Sequence, residues 1–292
     1  MPSSNSIRKK YPRVSVSLIT YNHASYIAQA IESVLNQKTD FDYEFIIGED
    51  ESTDGTREIV LSYQKKYPAK IKVNLNKREN VIHIDGKPTG RWNFINNLQH
   101  CHGEYVALLE GDDYWTDPKK LQKQVDYLDH NLDHSMCFHK VITISEEDDF
   151  DPTISQPYQV KSSYSLEDLI QKNFIPTLSV LYRNLDVFSN LPEWFSAVPV
   201  GDYFLHLLAA EKGRIGYLDE QMGVRRVHGA GYWSAMGLET RMETNLKINQ
   251  KVYKYFQGSA YERVAESSLY YARYRYDYVR KKLFSSTMTL VK

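Results

Sequence analysis

Short apolar runs alternate with amphipathic segments along the first half of this chain. Runs of five or six residues have the length and the Val, Ile and Leu content of buried strands, and they lie at 14–19, 43–48, 71–75 and 105–109. Helical segments are predicted between them, at 24–35, 56–67 and 92–100. Strands that alternate with helices are typical of a mostly parallel sheet, so the pattern predicts an α/β fold.

The pattern continues less regularly in the middle of the chain. A long amphipathic helix is predicted at 117–131. Ser165 and Asp168 have the spacing of a capping box, which predicts a helix at 165–172. Further strands are predicted at 136–144 and 178–182, a helix at 203–210, and a solvated acidic loop at 146–151.

From about residue 236 the chain changes character. Two helices are predicted there, at 238–256 and 260–283, and Gly258 separates them. We therefore expect a polar N-terminal tail, an α/β domain and a C-terminal helical appendage, at residues 1–12, 13–235 and 236–292.

The last predicted helix interleaves tyrosines with basic residues. The tyrosines are Tyr270, Tyr271, Tyr274, Tyr276 and Tyr278, and the basic residues are Arg263, Arg273, Arg275, Arg280, Lys281 and Lys282. Such a face is compatible with nucleic acid, a membrane surface or a partner protein. Because amphipathic faces usually mean packing, we expect the rings to cover the α/β domain.

Composition narrows the range of functions. A net charge of −1 gives no global electrostatic case for a nucleic-acid partner. Cys101 and Cys137 are too few for a disulfide scaffold and lack the spacing of a zinc site. No apolar run reaches membrane-spanning length, and the polar N-terminus lacks the apolar stretch of a signal peptide. We therefore expect a cytoplasmic protein.

Three carboxylates, Glu110, Asp112 and Asp113, follow the predicted strand 105–109. Ligands of open α/β sheets bind at the carboxyl ends of strands. Clustered carboxylates repel one another unless a positive charge lies between them, and Mg²⁺ or Mn²⁺ prefers oxygen ligands and also holds substrate phosphates. The alternative is an acidic turn that caps the helix beginning near Asp117.

A second group of acids follows the predicted strand 43–48. Residues 52–54 are N-cap candidates for the next helix. Capping does not explain Glu49 and Asp50, which precede the turn. A carboxylate at that position can accept a hydrogen bond from the ring N–H of a uracil-like base.

Five segments of the chain resemble, in the right order, the motifs of the family-2 glycosyltransferases, a large inverting group with the GT-A fold. They are the opening strand and helix at 14–37, the acidic turn at 49–56, the metal motif at 110–113, the late acidic motif at 201–205, and the segment 224–229. The sequence departs from the family pattern at four positions. Glu49 and Glu110 stand where Asp is common, Glu51 where Gly is common, and Arg225 where Tyr is usual.

The resemblance implies a metal-dependent, inverting transfer of a sugar from a nucleotide diphosphate, with a UDP-sugar expected, to a hydroxyl in glycan or polysaccharide biosynthesis. It implies that Asp113 ligates Mn²⁺ or Mg²⁺ directly, while Asp112 and Glu110 contact the metal, the ribose or a metal-bound water. His228 is implied near the pyrophosphate, as a ligand or hydrogen-bond donor. A purely structural histidine is the alternative.

The resemblance also implies a base pocket and a general base. Tyr21 would stack on the base or else fill core, Asp50 would accept its N–H, and Thr20 and Arg91 would lie nearby. Asp202 would take the proton of the acceptor hydroxyl, a role compatible with capping the helix that follows. A single base opposite the leaving group implies inversion at the anomeric carbon.

Two other functions share parts of this pattern. A nucleotidyltransferase should have a Gly- and basic-rich phosphate loop, which the turn at 20–23 lacks, and a non-catalytic sensor should have lost the base or metal motif. The expected partners are a nucleotide-sugar donor and a saccharide or lipid-linked acceptor. Peripheral contact with the inner membrane face through the basic Tyr-rich tail and homo-oligomerisation stay open. So does the role of Trp115, Trp194 and Trp233, as sugar platforms or core residues.

Overall fold

The computed structural model describes residues 11–145, 152–229 and 236–289. The predicted acidic loop at 146–151, most of the N-terminal tail and Trp233 lie outside the described residues. The described strands are β1 (Val14–Thr20), β2 (Tyr43–Glu49), β3 (Ile71–Leu75), β4 (Ile82–Ile84), β5 (Lys87–Thr89), β6 (Tyr105–Glu110), β7 (Tyr114–Trp115), β8 (His134–Ser145), β9 (Thr153–Ser155), β10 (Ser163–Tyr164), β11 (Leu181–Arg183) and β12 (Arg214–Val227). The described α-helices are α1 (Ile27–Leu35), α2 (Thr56–Lys66), α3 (Arg91–Gln99), α4 (Lys120–His130), α5 (Leu166–Gln171), α6 (Asp186–Ser189), α7 (Gly201–Ala210), α8 (Leu238–Phe256) and α9 (Glu262–Thr289).

One large sheet carries ten of these strands. Its main path is β10-β12-β8-β11-β6-β1-β2-β3, with β7 paired to β12 and β9 paired to β8. β1 pairs in parallel with both β6 and β2, which places Ile19 opposite Glu110 and Thr20 opposite Glu49. β11 runs antiparallel to β6 and β8, while β12 runs parallel to β8. The predicted α/β class with a mostly parallel sheet is confirmed.

Helices cover both faces of this sheet. α1, α2 and α4 pack on one face, where Ile31 and Leu121 join the buried side chains of β1 and β6. α3, α5, α7 and α8 pack on the other face, with Phe94 and Phe204 in that core. The central strands are therefore buried on both sides, which is why β2 and β6 are nearly continuous apolar runs.

Most predicted elements are present, and the capping box of Ser165 and Asp168 starts α5 as predicted. The strand predicted at 178–182 shrinks to β11, because Thr177–Ser179 form a 3₁₀ turn. β12 has no counterpart in the sequence prediction. Its polar residues 219–221 interrupt the apolar pattern where its register with β8 shifts.

The predicted C-terminal helices are packed on the α/β domain. Ile248, Val252 and Phe256 of α8 are buried in the same core cluster as the helices of one sheet face. Ala265 of α9 belongs to that cluster too, and the hydroxyl of Ser268 donates to the carbonyl of Ile170 in α5 (3.1 Å). α8 and the first turns of α9 are therefore part of the folded body.

Most tyrosines of α9 do not pack on the α/β domain. Four of them, Tyr270, Tyr271, Tyr274 and Tyr278, are between 52% and 74% exposed. The expectation that the rings cover the α/β domain is wrong for these four tyrosines, because small residues such as Ala265 and Ala272 form the face of α9 that packs. Each helix in the described ranges is too short or too polar to cross a bilayer.

Candidate active site

The carboxyl ends of three neighbouring strands bring the two acidic segments together. β1 ends at Thr20, between β2 and β6. The N–H of Asp50 donates to the carbonyl of Thr20 (3.1 Å), and the N–H of Gly111 donates to the carbonyl of Ile19 (2.9 Å). We call residues 49–54 the first acidic edge and residues 110–113 the second acidic edge. They flank the end of β1 on its two sides.

The first acidic edge is tied to the loop that follows β1. Ser52 and Asp54 accept hydrogen bonds from the backbone N–H groups of Asn22 and Ala24, each at 2.9 Å. The N-cap position of α2 is Gly55, whose φ of 100° is in the left-handed region that glycine adopts readily. The predicted cap residues therefore hold a neighbouring loop in place as well as preceding their own helix.

Both carboxylates that capping does not explain are paired with arginines. Glu49 is fully buried, forms a salt bridge with Nε of Arg57 and accepts from the N–H of Ser52 (2.7 Å). Asp50 is also buried and accepts from a guanidinium N–H of Arg78 (2.7 Å). Burial raises the pKa of Asp50 above its ordinary value, although the charge of Arg78 opposes the shift. Glu49 is thus accounted for by packing, while Asp50 lies in the candidate base pocket.

Arg78 connects Asp50 with Tyr21. Its guanidinium carbon lies 4.4 Å from the ring centroid of Tyr21, and that ring is 39% exposed, so it does not fill core. The N–H of Arg78 donates to Glu51 (2.6 Å), which has a φ of 60°. That left-handed φ suits glycine best, which agrees with Glu51 standing where the motif usually has Gly. The motifs missed Arg78, whose only signal is its place just after β3.

The second acidic edge crowds three carboxylates at one point. One oxygen from each of Glu110, Asp112 and Asp113 lies within 4.8 Å of the others. Burial, reinforced by the charge of Asp112, raises the pKa of Glu110 to about 8 and holds the pKa of Asp113 well above its usual range. Burial would raise the pKa of Asp112 as well, but its hydrogen bond with His228 and the charge of His23 lower it overall.

Two histidines approach Asp112. Nε2 of His228 lies 3.0 Å from Oδ2 of Asp112, and Nε2 of His23 lies 3.9 Å from the same oxygen. Burial lowers the pKa of His23, although the charge of Asp112 opposes the shift. A Cβ on Gly111 would lie 2.5 Å from Oγ1 of Thr20 and 2.8 Å from Nδ1 of His23, so this position requires glycine. Sequence motifs indicated His228 and missed His23.

β12 closes the second acidic edge from the other side. The backbone N–H of Arg226 donates to Oδ1 of Asp113 (2.8 Å), and its guanidinium donates to the carbonyl of Asp112 (2.6 Å). The charge of Arg225 partly opposes the raised pKa of Asp113. The segment 224–229, known in sequence only as a motif, is therefore the end of a strand that orients both aspartates.

Asp202 lies in the first turn of α7, and its Oδ2 accepts from the hydroxyl of Thr177 (2.8 Å). The N-cap position of α7 is Val200, but Oδ1 of Asp202 accepts from the backbone N–H of Tyr203 (2.8 Å), so Asp202 also stabilises the first turn of the helix. The charge of Asp202 contributes to the raised pKa of Glu110, after burial and Asp112. The start of α7 is therefore within electrostatic reach of the second acidic edge.

Arg91 is buried at the start of α3 and lies against the same turn. A Cβ on Gly201 would come within 1.5 Å of a guanidinium nitrogen of Arg91. Another guanidinium nitrogen donates to the carbonyl of Val198 (2.9 Å). The structure thus places Arg91 beside the turn that carries Asp202, and its contact with the nucleotide stays a prediction.

Of the three tryptophans considered as sugar platforms, Trp115 and Trp194 lie within the described residues, and both are packed. Trp115 is buried, and its indole N–H donates to the carbonyl of Leu178 (2.9 Å). The ring of Trp194 lies 4.9 Å from that of Tyr255 and 5.8 Å from that of Phe204, measured between centroids. Both therefore fill core or helix contacts.

Comparison with known proteins agrees with these motifs. The profile of Glycosyl transferase family 2 matches residues 15–185, more than half of the 292 residues. The chain belongs to glycosyl transferase family 2. An uncharacterized protein of Mycobacterium bovis is 37% identical over 228 residues, which cover 78% of this family-2 chain and 62% of that protein. The chain thus spans less than two thirds of this relative's length.

Other relatives carry glycosyltransferase names. TuaG of Bacillus subtilis, named as a teichuronic acid biosynthesis glycosyltransferase, is 34% identical over 117 residues, covering 40% of this chain and 42% of that protein. TarS residues 1–349 of S. aureus, solved with UDP-GlcNAc, has a TM-score of 0.61 at 21% identity, covering 88% of this chain and 70% of that one. A Pyrobaculum calidifontis mannosyltransferase, solved with GDP-Man and Mn²⁺, has a TM-score of 0.61 at 18% identity, covering 90% and 70%. These structures share the fold.

The predicted residues of this family-2 site fall into two groups. Those that meet at the carboxyl ends of β1, β2, β6 and β12 are Thr20, Tyr21, Asp50, Glu110, Asp112, Asp113 and His228. Asp202 and Arg91 come from the starts of α7 and α3. The predicted family is confirmed, and the individual roles of these residues stay predictions.

Proposed function

We propose that this protein is an inverting glycosyltransferase. It moves a sugar from a nucleotide diphosphate donor, a UDP-sugar, to a hydroxyl of a saccharide or lipid-linked acceptor in glycan or polysaccharide biosynthesis. The observation that carries the proposal is the second acidic edge, where Glu110, Asp112 and Asp113 crowd together within electrostatic reach of Asp202. Membership of family 2 supports the reaction class, and the name of TuaG supports the kind of product.

The donor atoms of the second acidic edge fit a hard divalent cation. Carboxylate oxygens are the ligands that Mg²⁺ and Mn²⁺ prefer, and a bound cation would offset the burial and the mutual repulsion that raise the pKa of Glu110 and of Asp113. Asp113 would be the direct ligand, with Glu110 beside it, and His228 would join through its contact with Asp112. When bound, such an ion neutralises charge on the departing diphosphate. The Mn²⁺ in the Pyrobaculum structure supports this assignment.

The first acidic edge supplies the base pocket of the proposal. The ring of a uracil would stack on the exposed face of Tyr21, and its N–H would donate to the carboxylate of Asp50. Arg78 orients that carboxylate and keeps negative charge on it. Thr20 and Asp112, beside β1 and β6, would contact the ribose and phosphates. TarS, with UDP in one structure and UDP-GlcNAc in another, supports a uridine donor.

The chemical step is a single displacement. The acceptor hydroxyl loses its proton to the carboxylate of Asp202 while its oxygen attacks the anomeric carbon. The bond from that carbon to the phosphate oxygen breaks, and the nucleoside diphosphate leaves with the electron pair. Because attack and departure occur on opposite faces, the anomeric configuration inverts.

Replacing Asp202 with Asn tests the base. The amide keeps the size of the side chain and an acceptor for Thr177, but it takes no proton at neutral pH. We expect turnover to fall by about 10²–10⁴-fold while UDP binding, measured by titration calorimetry, is unchanged. Asp186→Asn, in the exposed first turn of α6, is the matched control and should turn over normally. Near-normal turnover of Asp202→Asn would reassign the base, and a product with retained configuration by NMR would contradict single displacement.

The donor is tested by thermal unfolding. The protein is heated with a panel of UDP-, GDP- and dTDP-sugars in the presence of Mn²⁺. A ligand that binds only the folded state raises the melting temperature, so UDP-sugars should give the largest increase. Stabilisation by nucleoside triphosphates with none from sugar nucleotides would contradict the proposed activity. A larger increase with GDP-sugars would contradict the choice of a uridine donor but not the transfer of a sugar.

The exposed face of α9 supports a peripheral contact with an anionic membrane, where a lipid-linked acceptor would lie. Residues 270–282 contain five basic residues and one acid, Asp277, although the whole chain has a net charge of −1. Tyrosines and clustered basic residues favour the surface of an anionic bilayer. Sedimentation with vesicles of anionic lipid should remove the protein from solution, less so at high salt, while neutral vesicles should not. Self-association through the same face and a cytoplasmic location stay predictions.

A further inference from the structure

His23 is the residue of this site that no sequence motif assigns. It follows β1 in a turn, and its Nε2 lies 3.9 Å from Oδ2 of Asp112. Nε2 of His228 lies 3.0 Å from the same oxygen. One ligand atom from each of the three residues lies within 4.8 Å of the other two. This group shares Asp112 with the carboxylates of the second acidic edge.

The ring of His23 is held in a defined orientation. Its backbone N–H donates to Oγ1 of Thr56 (2.8 Å), and its Nδ1 lies 3.3 Å from Oγ1 of Thr20. The absence of a side chain at Gly111 leaves the space that the ring edge occupies. With Nδ1 engaged by Thr20, Nε2 is the nitrogen presented to Asp112. Histidines that ligate metals are usually oriented in this way, through a hydrogen bond at the other ring nitrogen.

The distances to Asp112 match two atoms that share an ion. At 3.9 Å the contact with His23 is too long for a hydrogen bond. Ligand atoms about 2.1 Å from a common ion lie about 3 Å apart at right angles and about 4.2 Å apart on opposite sides. The separations of 3.0 Å and 3.9 Å both fall within that range. Oδ2 of Asp112 is therefore spaced from the ring nitrogen of each histidine as two ligands of one ion are.

We propose that His23 is a direct ligand of the divalent cation, together with Asp112 and His228. The inference rests on the proposed metal-dependent function, in which Asp113 is a direct ligand, and it adds His23 and Asp112 to the ligands of that ion. Two imidazole nitrogens suit a transition-metal ion, whereas Mg²⁺ is bound mainly by oxygen. The site should therefore prefer Mn²⁺ or Co²⁺ to Mg²⁺ by more than its carboxylates alone would dictate.

Pulsed electron paramagnetic resonance of bound Mn²⁺ counts the imidazole nitrogens on the ion. We expect two in the wild-type protein with UDP, one in His23→Ala and one in His228→Ala. His130→Ala, exposed at the end of α4, is the control and should keep two. In His23→Ala the Mn²⁺ dissociation constant should rise by about tenfold or more. The constant for Mg²⁺ should rise less.

The outcomes separate this inference from the proposed function. Two coupled nitrogens in His23→Ala would overturn the role of His23 and leave the metal site in place. The same conclusion would follow from a single coupled nitrogen in the wild type that is lost only in His228→Ala. No Mn²⁺ binding by the wild type, with or without UDP, would overturn both. A second measurement needs no variant: Mn²⁺ should slow the carbethoxylation of His23, followed by mass spectrometry, and leave His130 unaffected. Equal rates at His23 with and without Mn²⁺ would also overturn the inference.

Discussion

The two acidic edges look alike in position and differ in how their charge is balanced. Each follows a strand that pairs with β1, and each carries several carboxylates within a few residues. At the first edge the chain supplies the partners, since Glu49 pairs with Arg57 and Asp50 with Arg78. At the second edge His228 contacts Asp112 and the backbone N–H of Arg226 contacts Asp113, yet burial and the charge of Asp112 still raise the pKa of Glu110 to about 8.

The difference shows what each edge is built to accept. A carboxylate already paired with an arginine is held in one orientation, and it is suited to receive a neutral N–H from a base. Carboxylates that face one another are stable together only when protonated or when a cation lies between them. Acid content alone therefore does not define a metal site. Whether an acidic cluster binds a cation depends on how much positive charge the surrounding side chains already supply.

The largest effect is expected from the second edge. Asp113→Asn keeps the acceptor for the N–H of Arg226 and removes a ligand charge. Because a bound cation contributes several kcal/mol to the transition state, sugar transfer should fall by about 10³-fold or more. A chelator should silence the wild type to a similar extent. Assays of transfer with and without added Mn²⁺ measure both, and full activity in chelator would remove the metal role.

Glu49→Gln at the first edge is the contrasting control. It removes the charge that pairs buried Glu49 with the partly exposed Arg57, so the melting temperature should fall, because leaving a buried group without its partner costs about 1–3 kcal/mol. Binding of Mn²⁺ should be unchanged. Asp113→Asn should show the reverse, with normal melting of the metal-free protein and lost Mn²⁺ binding. If both variants lost Mn²⁺, the two edges would not be separate in function.

A smaller effect is expected for Asp50→Ala. Hydrogen bonds to charged groups contribute about 1.5–3 kcal/mol, so the affinity for UDP should fall by about 10- to 100-fold. Titration calorimetry measures it, with Asp126→Ala, exposed on α4, as the matched control. The affinity for Mn²⁺ alone should not change. An unchanged affinity for UDP would remove Asp50 from the base pocket and leave the first edge with a purely structural task.

The sequence alone could locate both edges but could not show this difference between them. The strands before Glu49 and Glu110 are local apolar runs, and their parallel pairing follows from the alternation with helices. Arg78 lies 28 residues from its partner Asp50, and His23 approaches Asp112 from a separate loop. Such contacts arise only when the sheet is assembled, so residue type and spacing do not reveal them.

The same limit explains the elements that were missed or misjudged. β12 is a long strand with a polar interruption and shifted register, so periodicity does not detect it. The tyrosines of α9 resemble a packing face in sequence, yet the structure turns four of them outward. Which side of a helix packs depends on the surface it meets, and in α9 the packed side is the one that carries Ala265 and Ala272.

The comparison also predicts a difference in how the metal-free edges respond to pH. Folded Glu110 keeps its proton to about pH 8, against about 4.5 for an ordinary Glu, so the folded state binds more protons than the unfolded state between these values. Its contribution to stability therefore decreases as pH rises from about 5 to 8. Asp54 at the first edge behaves oppositely. Burial would raise its pKa, but hydrogen bonds from Thr56 and Ala24 lower it, so its contribution is lost only in acid below its usual pKa near 3.8.

Urea unfolding in chelator at several pH values measures this contrast. The unfolding free energy of Glu110→Gln, relative to that of the wild type, should increase as pH rises from about 5 to 8, by at most about 1.4 kcal/mol per pH unit. The difference between Asp54→Asn and the wild type should stay constant over that range. Added Mn²⁺ should reverse the gain of Glu110→Gln, because the ion stabilises the ionised carboxylates of the wild type. A constant difference for Glu110→Gln would mean that its carboxylate is already ionised at neutral pH, and the second edge would then need no cation to balance it.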